Sequence, residues 1–288
     1  MRFFRKPLLF IALIMLVWGF LLSIRFASKK EILEKIQLSD IVLVVLDIRN
    51  PIGTMSSYLL RVSKGKRRLF VLNKADLVPR EIGLLWERWF ECKGHQALSI
   101  SANNRLSILK LRKILRGWAR EVNKDRVIVM IAGVPKTGKS SIINVLRGKH
   151  SATVSAYPGT TGYTKGFTLF NIEGKIYAWD TPGVFPDVRD PLERIIRLKP
   201  PEKIRDPERI AAKILSRAKK FVPGSIMATY GVDESLDEYA ILEEIARRRG
   251  WLEKTTKEPI IEQAGIQVIR DYLDGKIKFY VKPARAEC

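Results

Sequence analysis

Residues 126–141 read RVIVMIAGVPKTGKSS, an apolar, β-branched run that breaks at Gly133 and passes through a second glycine into Lys139, Ser140 and Ser141. Apolar residues without alternation suit a strand buried on both faces. The following IINVLRG has helical spacing and ends near Gly148. Strand, glycine-rich loop and helix therefore stand in succession. Working outward, three runs of the same texture come earlier: IVLVVLD at 41–47, RRLFVLNKAD at 67–76 and ALSISA at 97–102. Between them lie REIGLLWERWF (80–90) and RLSILKLRKILRGWA (105–119), each amphipathic and long enough for a crossover helix, and KKEILEKIQL (29–38) predicts another helix ahead of them. Such alternation predicts an α/β fold with a mostly parallel sheet flanked by helices. Downstream, GFTLFNIEGKIYAWD (166–180) predicts a hairpin turning near Glu173 and Gly174, which closes the sheet around Asp180.

Beyond Pro182 the texture changes. Pro186, Pro191, Pro200, Pro201 and Pro207 punctuate the chain, and IAAKILSRAKKF, DEYAILEEIARRR and EQAGIQVIRDYLDG give three helical patterns before a short KIKFYV. The expected organisation is an apolar N-terminal extension at 1–25, the α/β domain at 26–190 and a small, mostly helical domain at 191–288. The extension holds LLFIALIMLVWGFLL (8–22) between basic flanks. A spanning helix needs roughly 20 such residues, with about 17 as the lower limit. Three readings stay open: a short anchor, an apolar helix packed on the protein, or a start upstream of the true one, with Met15 as the alternative.

With 288 residues and 46% of them apolar, the chain has room for one or two domains with real cores and is neither disordered nor a solenoid. Cys92 and Cys288 stand too far apart to frame a small secreted disulfide scaffold, and with His95 and His150 they cannot make a paired-cysteine zinc site. A reducing compartment is expected. The net charge of +22 attracts polyanions, so RNA, DNA or an anionic membrane is the expected partner. Most of the excess, +15, falls in residues 41–189.

Four motifs fall at predicted strand ends. GVPKTGKS (133–140) fits G-x-x-x-x-G-K-[ST] in its required setting of strand before and helix after. Along the loop of Pro135, Lys136, Thr137 and Gly138, the backbone N–H groups that follow the proline converge on phosphate oxygens, Lys139 brings a point charge to the β and γ phosphates, and Ser140 can hold Mg²⁺. DTPG (180–183) places Asp180 toward that metal through water and the Gly183 N–H toward a γ-phosphate. NKAD (73–76) presents a carboxylate, Asp76, that accepts both guanine N1–H and the 2-amino group; adenine offers neither and leaves the charge unpaired. Ser101, Ala102 and Asn103 form a small loop whose backbone N–H reaches the guanine O6. The order is unusual, because the guanine motifs precede the phosphate loop. The usual connection of the sheet has been rewired, with new termini beside the strand that carries DTPG.

In this the chain resembles the circularly permuted GTPases of ribosome assembly of the YlqF/RbgA type. The resemblance covers roughly 26–288 and rests on DIRNP (47–51, the family's D-A-R-x-P), NKADLVP, ISA, GVPKTGKSS, PGTT (158–161) and DTPG in permuted order, and on EEIARRRGWL (243–252). It implies a P-loop GTPase domain followed by a helical domain. By resemblance, Asn73, Lys74 and Asp76 read guanine; Gly138, Lys139, Ser140 and Ser141 hold phosphates and Mg²⁺; Thr161, with Thr160, is the switch threonine; Asp180 and Gly183 sense metal and γ-phosphate. The catalytic group is then Lys136, Lys139, Thr161 and Gly183, and the metal set Ser140, Thr161 and Asp180. The family's implied partners are GTP, GDP and the rRNA of a large-subunit precursor, met as a monomer in the cytoplasm. Arg194, Arg197, Lys203, Arg205, Lys213, Arg217, Lys219 and Lys220, with Arg247, Arg248 and Arg249, are the implied rRNA contacts. Val184 follows DTPG where many GTPases place a water-positioning glutamine, so slow turnover without a partner is expected. Lys136 stands where the family has an asparagine associated with a catalytic K⁺; its ammonium is expected either to replace that cation or to point to solvent. Two alternatives remain: an RNA-binding protein that holds GTP with negligible hydrolysis, and a GTPase attached to a membrane through residues 8–24, which is not favoured.

Overall fold

The computed structural model describes residues 26–148, 153–154, 167–180, 183–184 and 187–284. The apolar N-terminal run, Thr160 and Thr161 lie outside the described residues. Among the described residues, no helix is long and apolar enough to cross a membrane.

A short strand β1 (Phe26–Ala27) leads into α1 (Lys29–Gln37), whose first turn is fixed by a capping box between Ser28 and Glu31. Then follow β2 (Ile41–Asp47), α2 (Ser57–Val62), β3 (Arg67–Asn73), α3 (Arg80–Cys92), β4 (Gln96–Ser99), α4 (Arg105–Glu121), β5 (Val127–Ala132) and α5 (Lys139–Arg147). The strands β6 (Thr153–Val154), β7 (Thr168–Glu173), β8 (Ile176–Asp180) and β9 (Gly183–Val184) complete the β structure.

The main sheet runs β4-β3-β2-β5-β8-β7-β6. Its first five strands are mutually parallel, and β7 and β6 are antiparallel additions through the expected hairpin. β2 is buried along its whole length because both faces are covered, which explains its lack of alternation. On one face Leu43, Val45 and Ile131 meet Ile108, Leu111 and Leu115 of α4 and Ile142 and Leu146 of α5. On the other, Val42, Val44 and Met130 meet Ile32 and Ile36 of α1 and Ile82, Trp86 and Phe90 of α3. A separate sheet pairs β1 with β9, parallel, Phe26 opposite Gly183.

From residue 187 onward helices take over: α6 (Pro191–Leu198), α7 (Pro207–Phe221), α8 (Ser225–Tyr230), α9 (Glu238–Arg249) and α10 (Ile261–Asp274). They enclose their own core, with Ile196, Ile214, Leu215, Leu242, Val268 and Ile269 at its centre. The three helical patterns of the sequence correspond to α7, α9 and α10, while α2, α6 and α8 were not anticipated. KIKFYV forms no strand; its Val281 instead docks on the sheet region, the N–H donating to Arg49 O (2.8 Å) and the carbonyl accepting from Trp86 Nε1 (2.9 Å).

Candidate nucleotide site

The carboxyl ends of the parallel strands bring the motifs together, as expected for open α/β sheets. β5 runs into the phosphate loop at Gly133, where a Cβ would stand 2.5 Å from Val45 O; only glycine lets the loop leave the sheet so close to β2. Gly138 has φ +86° and caps α5, whose first residue is Lys139. The Lys139 side chain is buried and Asp180 approaches it from β8, since Asp180 pairs in register with Ile131. Burial pushes the Lys139 pKa down, against the pull of Asp180, and burial pushes the Asp180 carboxyl up, against Lys139 and Arg147. A carboxylate held in such a place welcomes further positive charge. Ser140 and Ser141 are exposed at the opening of α5. An exposed hydroxyl and a carboxylate are hard oxygen donors, a fit for Mg²⁺ held also by water and phosphate.

Asn73 at the end of β3 performs a task that a base-reading role does not include. It is buried, its Nδ2 donates to Thr137 O (2.9 Å), and its Oδ1 accepts from the Ala102 N–H (3.3 Å). One side chain therefore ties the guanine motif to the phosphate loop and to the Ser101–Asn103 loop. The latter is further closed by the Asn103 N–H on Ser101 Oγ (3.2 Å). Thr137 is also turned inward, its hydroxyl donating to Val134 O (3.0 Å). Asp76, in contrast, is exposed, and its carboxylate has no hydrogen-bond or ion-pair partner among the described residues, the condition a purine-reading group needs. Gly183 lies in β9.

Lys74, with φ +68°, sends its Nζ inward to Asp47 (3.1 Å) and to Leu273 O (3.2 Å). Asp47, from the DIRNP motif, is fully buried and also receives Arg49 (2.8 Å) and Arg197 (3.2 Å). Burial alone would raise its pKa, but Arg49, Lys74 and Arg197 prevail and hold the carboxyl well below the usual range. Arg197 continues to Glu193 (2.8 Å), which accepts from the Tyr272 hydroxyl and from Asn50. Arg49 donates to the Tyr272 carbonyl, and Arg197 to Pro135 O (3.2 Å). This buried network joins the sheet ends to α6 and α10. The DIRNP signal was visible in the sequence; its partners were not, because they lie some 150 to 220 positions away.

Two expectations are corrected. Lys136 neither stands in for a cation nor faces solvent: its Nζ donates to Ile196 O (2.9 Å) and Lys199 O (3.0 Å) at the end of α6, and burial brings its pKa down to about 8. Arg197 is fully buried and cannot touch RNA. Arg217 is half-buried against Asp190 (2.6 Å), and Lys219 pairs with Glu238 (3.1 Å). Arg194, Lys203, Arg205, Lys213, Lys220 and Arg247 to Arg249 are exposed.

A family model described as 50S ribosome-binding GTPase matches residues 128–248. It begins inside β5, so the match leaves out the guanine motif at 73–76. A GTP-binding protein of Methanocaldococcus jannaschii is 37% identical over 88% of this chain, and nucleolar GTP-binding protein 2 of Neurospora crassa is 33% identical over 89%. The chain spans 66% of the first relative's length and 42% of the second's. The crystal structure of GNP-bound YlqF from T. maritima superposes with a TM-score of 0.62 at 26% identity, covering 90% of this chain and 98% of that one. Motif order, strand order and relatives agree: the chain belongs to the circularly permuted GTPases of the YlqF type.

Proposed function

We propose that the protein binds GTP with Mg²⁺, hydrolyses it slowly by itself, and uses the nucleotide state to control its hold on the rRNA of a large ribosomal subunit precursor. The observation that carries the GTP reading is the reunion of motifs spread over residues 73–183 at the carboxyl ends of the parallel strands, with Asn73 stapling the phosphate loop to both guanine loops. Asp76 reads the purine, the loop amides and Lys139 hold the phosphates, and Ser140 and Asp180 hold the metal. Thr161, with Thr160, serves as the switch threonine, and Gly183 answers to the γ-phosphate. The bound metal would neutralise charge that builds on the phosphoryl oxygens. Val184 offers no group to orient water, so a partner completes the site. Support for the ribosomal reading comes from the charge of +22 and from the match to a family of 50S ribosome-binding GTPases. No K⁺ requirement is assigned, since Lys136 is engaged with α6.

The test is calorimetry with GTP and ATP, then cosedimentation with large-subunit precursors in a GTP analogue and in GDP. GTP heat with none from ATP, and more pelleting with the analogue, are expected. Equal heats would refute the purine reading, and pelleting indifferent to nucleotide would refute the ribosomal one. Single-turnover assays with and without subunits separate a timed hydrolase from a protein that merely holds GTP.

A further inference from the structure

The carboxyl end of α9 carries three consecutive arginines, and the structure treats them differently. Arg247 pairs with Glu243 (3.8 Å) and Arg248 with Glu244 (2.8 Å), each one turn back along the helix. Arg249 has no ion pair or hydrogen bond among the described residues. It stands at the rim of a cavity of about 470 Å³ formed with α8, α10 and the segment after Gly275. Lys276 and Lys278 share that rim, and Lys278 likewise has no partner among the described residues.

The floor of the cavity is Asp271, only 2% exposed. Its carboxylate is engaged by three donors: Oδ2 accepts from the Tyr230 hydroxyl (3.0 Å), and Oδ1 from Gln267 Nε2 (2.9 Å) and Lys276 Nζ (2.9 Å). The acid therefore shapes the cavity and orients Lys276. Counting formal charges, three cations face one anion, and that anion is already paired with Lys276. A cleft of this size with two uncommitted cations at its mouth suits an anion with a bulky neighbour.

The geometry points to a phosphate-binding subsite for RNA in this cleft, in which Arg249 and Lys278 grip a backbone phosphate and Lys276, braced by Asp271, backs them. The inference rests on the ribosomal reading above and names where on the helical region the strand is held. It also separates Arg249 from its two neighbours, whose charges are already balanced on the helix surface. Neither Lys276 nor Lys278 stood out in the sequence.

The experiment titrates the full chain with a short fluorescein-labelled single-stranded RNA by anisotropy over a series of KCl concentrations. The proteins are wild type, R249A/K278A and R247A/R248A; all the substituted side chains are exposed, and thermal unfolding checks that each protein folds. R249A/K278A is expected to bind about ten-fold more weakly, with a salt slope shallower by about 0.7, since the two side chains share one phosphate and each phosphate contact on a single strand contributes about 0.7. R247A/R248A is expected to lose less. Equal affinity and slope for R249A/K278A and wild type would overturn the subsite while leaving RNA binding intact, whereas a wild-type protein that binds no RNA would bring down the ribosomal reading itself. Inorganic phosphate is the competing probe: displacement only at high concentration supports a site for polymer phosphate, and displacement at concentrations matching the RNA's own affinity would overturn it in favour of a small-anion site.

Discussion

Asp47 shows how much can depend on one carboxylate. Three cations, Lys74 just after β3, Arg197 of α6 and Arg49 just after β2, converge on its buried carboxylate. D47N leaves those charges buried without a counter-ion, and breaking such a pair costs about 3–5 kcal/mol. Urea denaturation of D47N and wild type at neutral pH measures the difference. The pH dependence follows from the direction of the shift. Because the folded carboxyl titrates below the unfolded value of about 3.9, its stabilisation is complete above that pH and is lost as pH falls through the lower, folded value. The fall in stability with acid should therefore be flatter in D47N below about pH 4. Asp76 is the opposite kind of residue, exposed and without partners among the described residues, so D76N should leave the unfolding free energy within about 0.5 kcal/mol of wild type. Its GTP affinity should drop by about a hundred-fold or more, as expected when a buried pair of donors loses its acceptor. Sequence reading found both residues, but it found their roles unequally. Asp76 acts through a local motif, whereas Asp47 acts through partners that only the folded chain brings near.

At the scale of elements, α6 is the piece the sequence revealed least. PLERIIRL is short and proline-led, with three of its eight residues charged, so its buried Glu193 and Arg197 resemble a solvated face until the partners are placed. In the fold its carboxyl end receives the Lys136 ammonium on two carbonyls, a favourable site for positive charge at a helix terminus. K136M should speed amide exchange through residues 196–204 while leaving β2 and β3 unaffected, as hydrogen exchange followed by mass spectrometry would show. The parallel strands, by contrast, were legible because burial on both faces leaves an uninterrupted apolar run. The phosphate loop was legible because glycine has no substitute at Gly133. G133A would drive a methyl group into the Val45 carbonyl, and abolished GTP binding in a calorimetric titration is the expected result.

For the whole molecule, the buried charges and the Lys136 contacts tie the nucleotide loops to α6 and α10, so the helical region is joined to the site by several polar links as well as by the chain after Asp180. A two-state rearrangement at the site would bias both. Amides of α6 and of the carboxyl end of α10 are expected to differ in exchange protection between GDP and a GTP analogue; identical protection would separate the two regions energetically. The pairing of Phe26 with Gly183 adds a mechanical dimension. Whatever is attached upstream of residue 26 is joined through β1 to the strand of Gly183, so a tag, a truncation or a tether there would pull on the residue proposed to answer to the γ-phosphate. Carboxyl-terminal tags are accordingly the safer handle for kinetic work, and a turnover number that changes with the amino-terminal tag would be a property of this fastening.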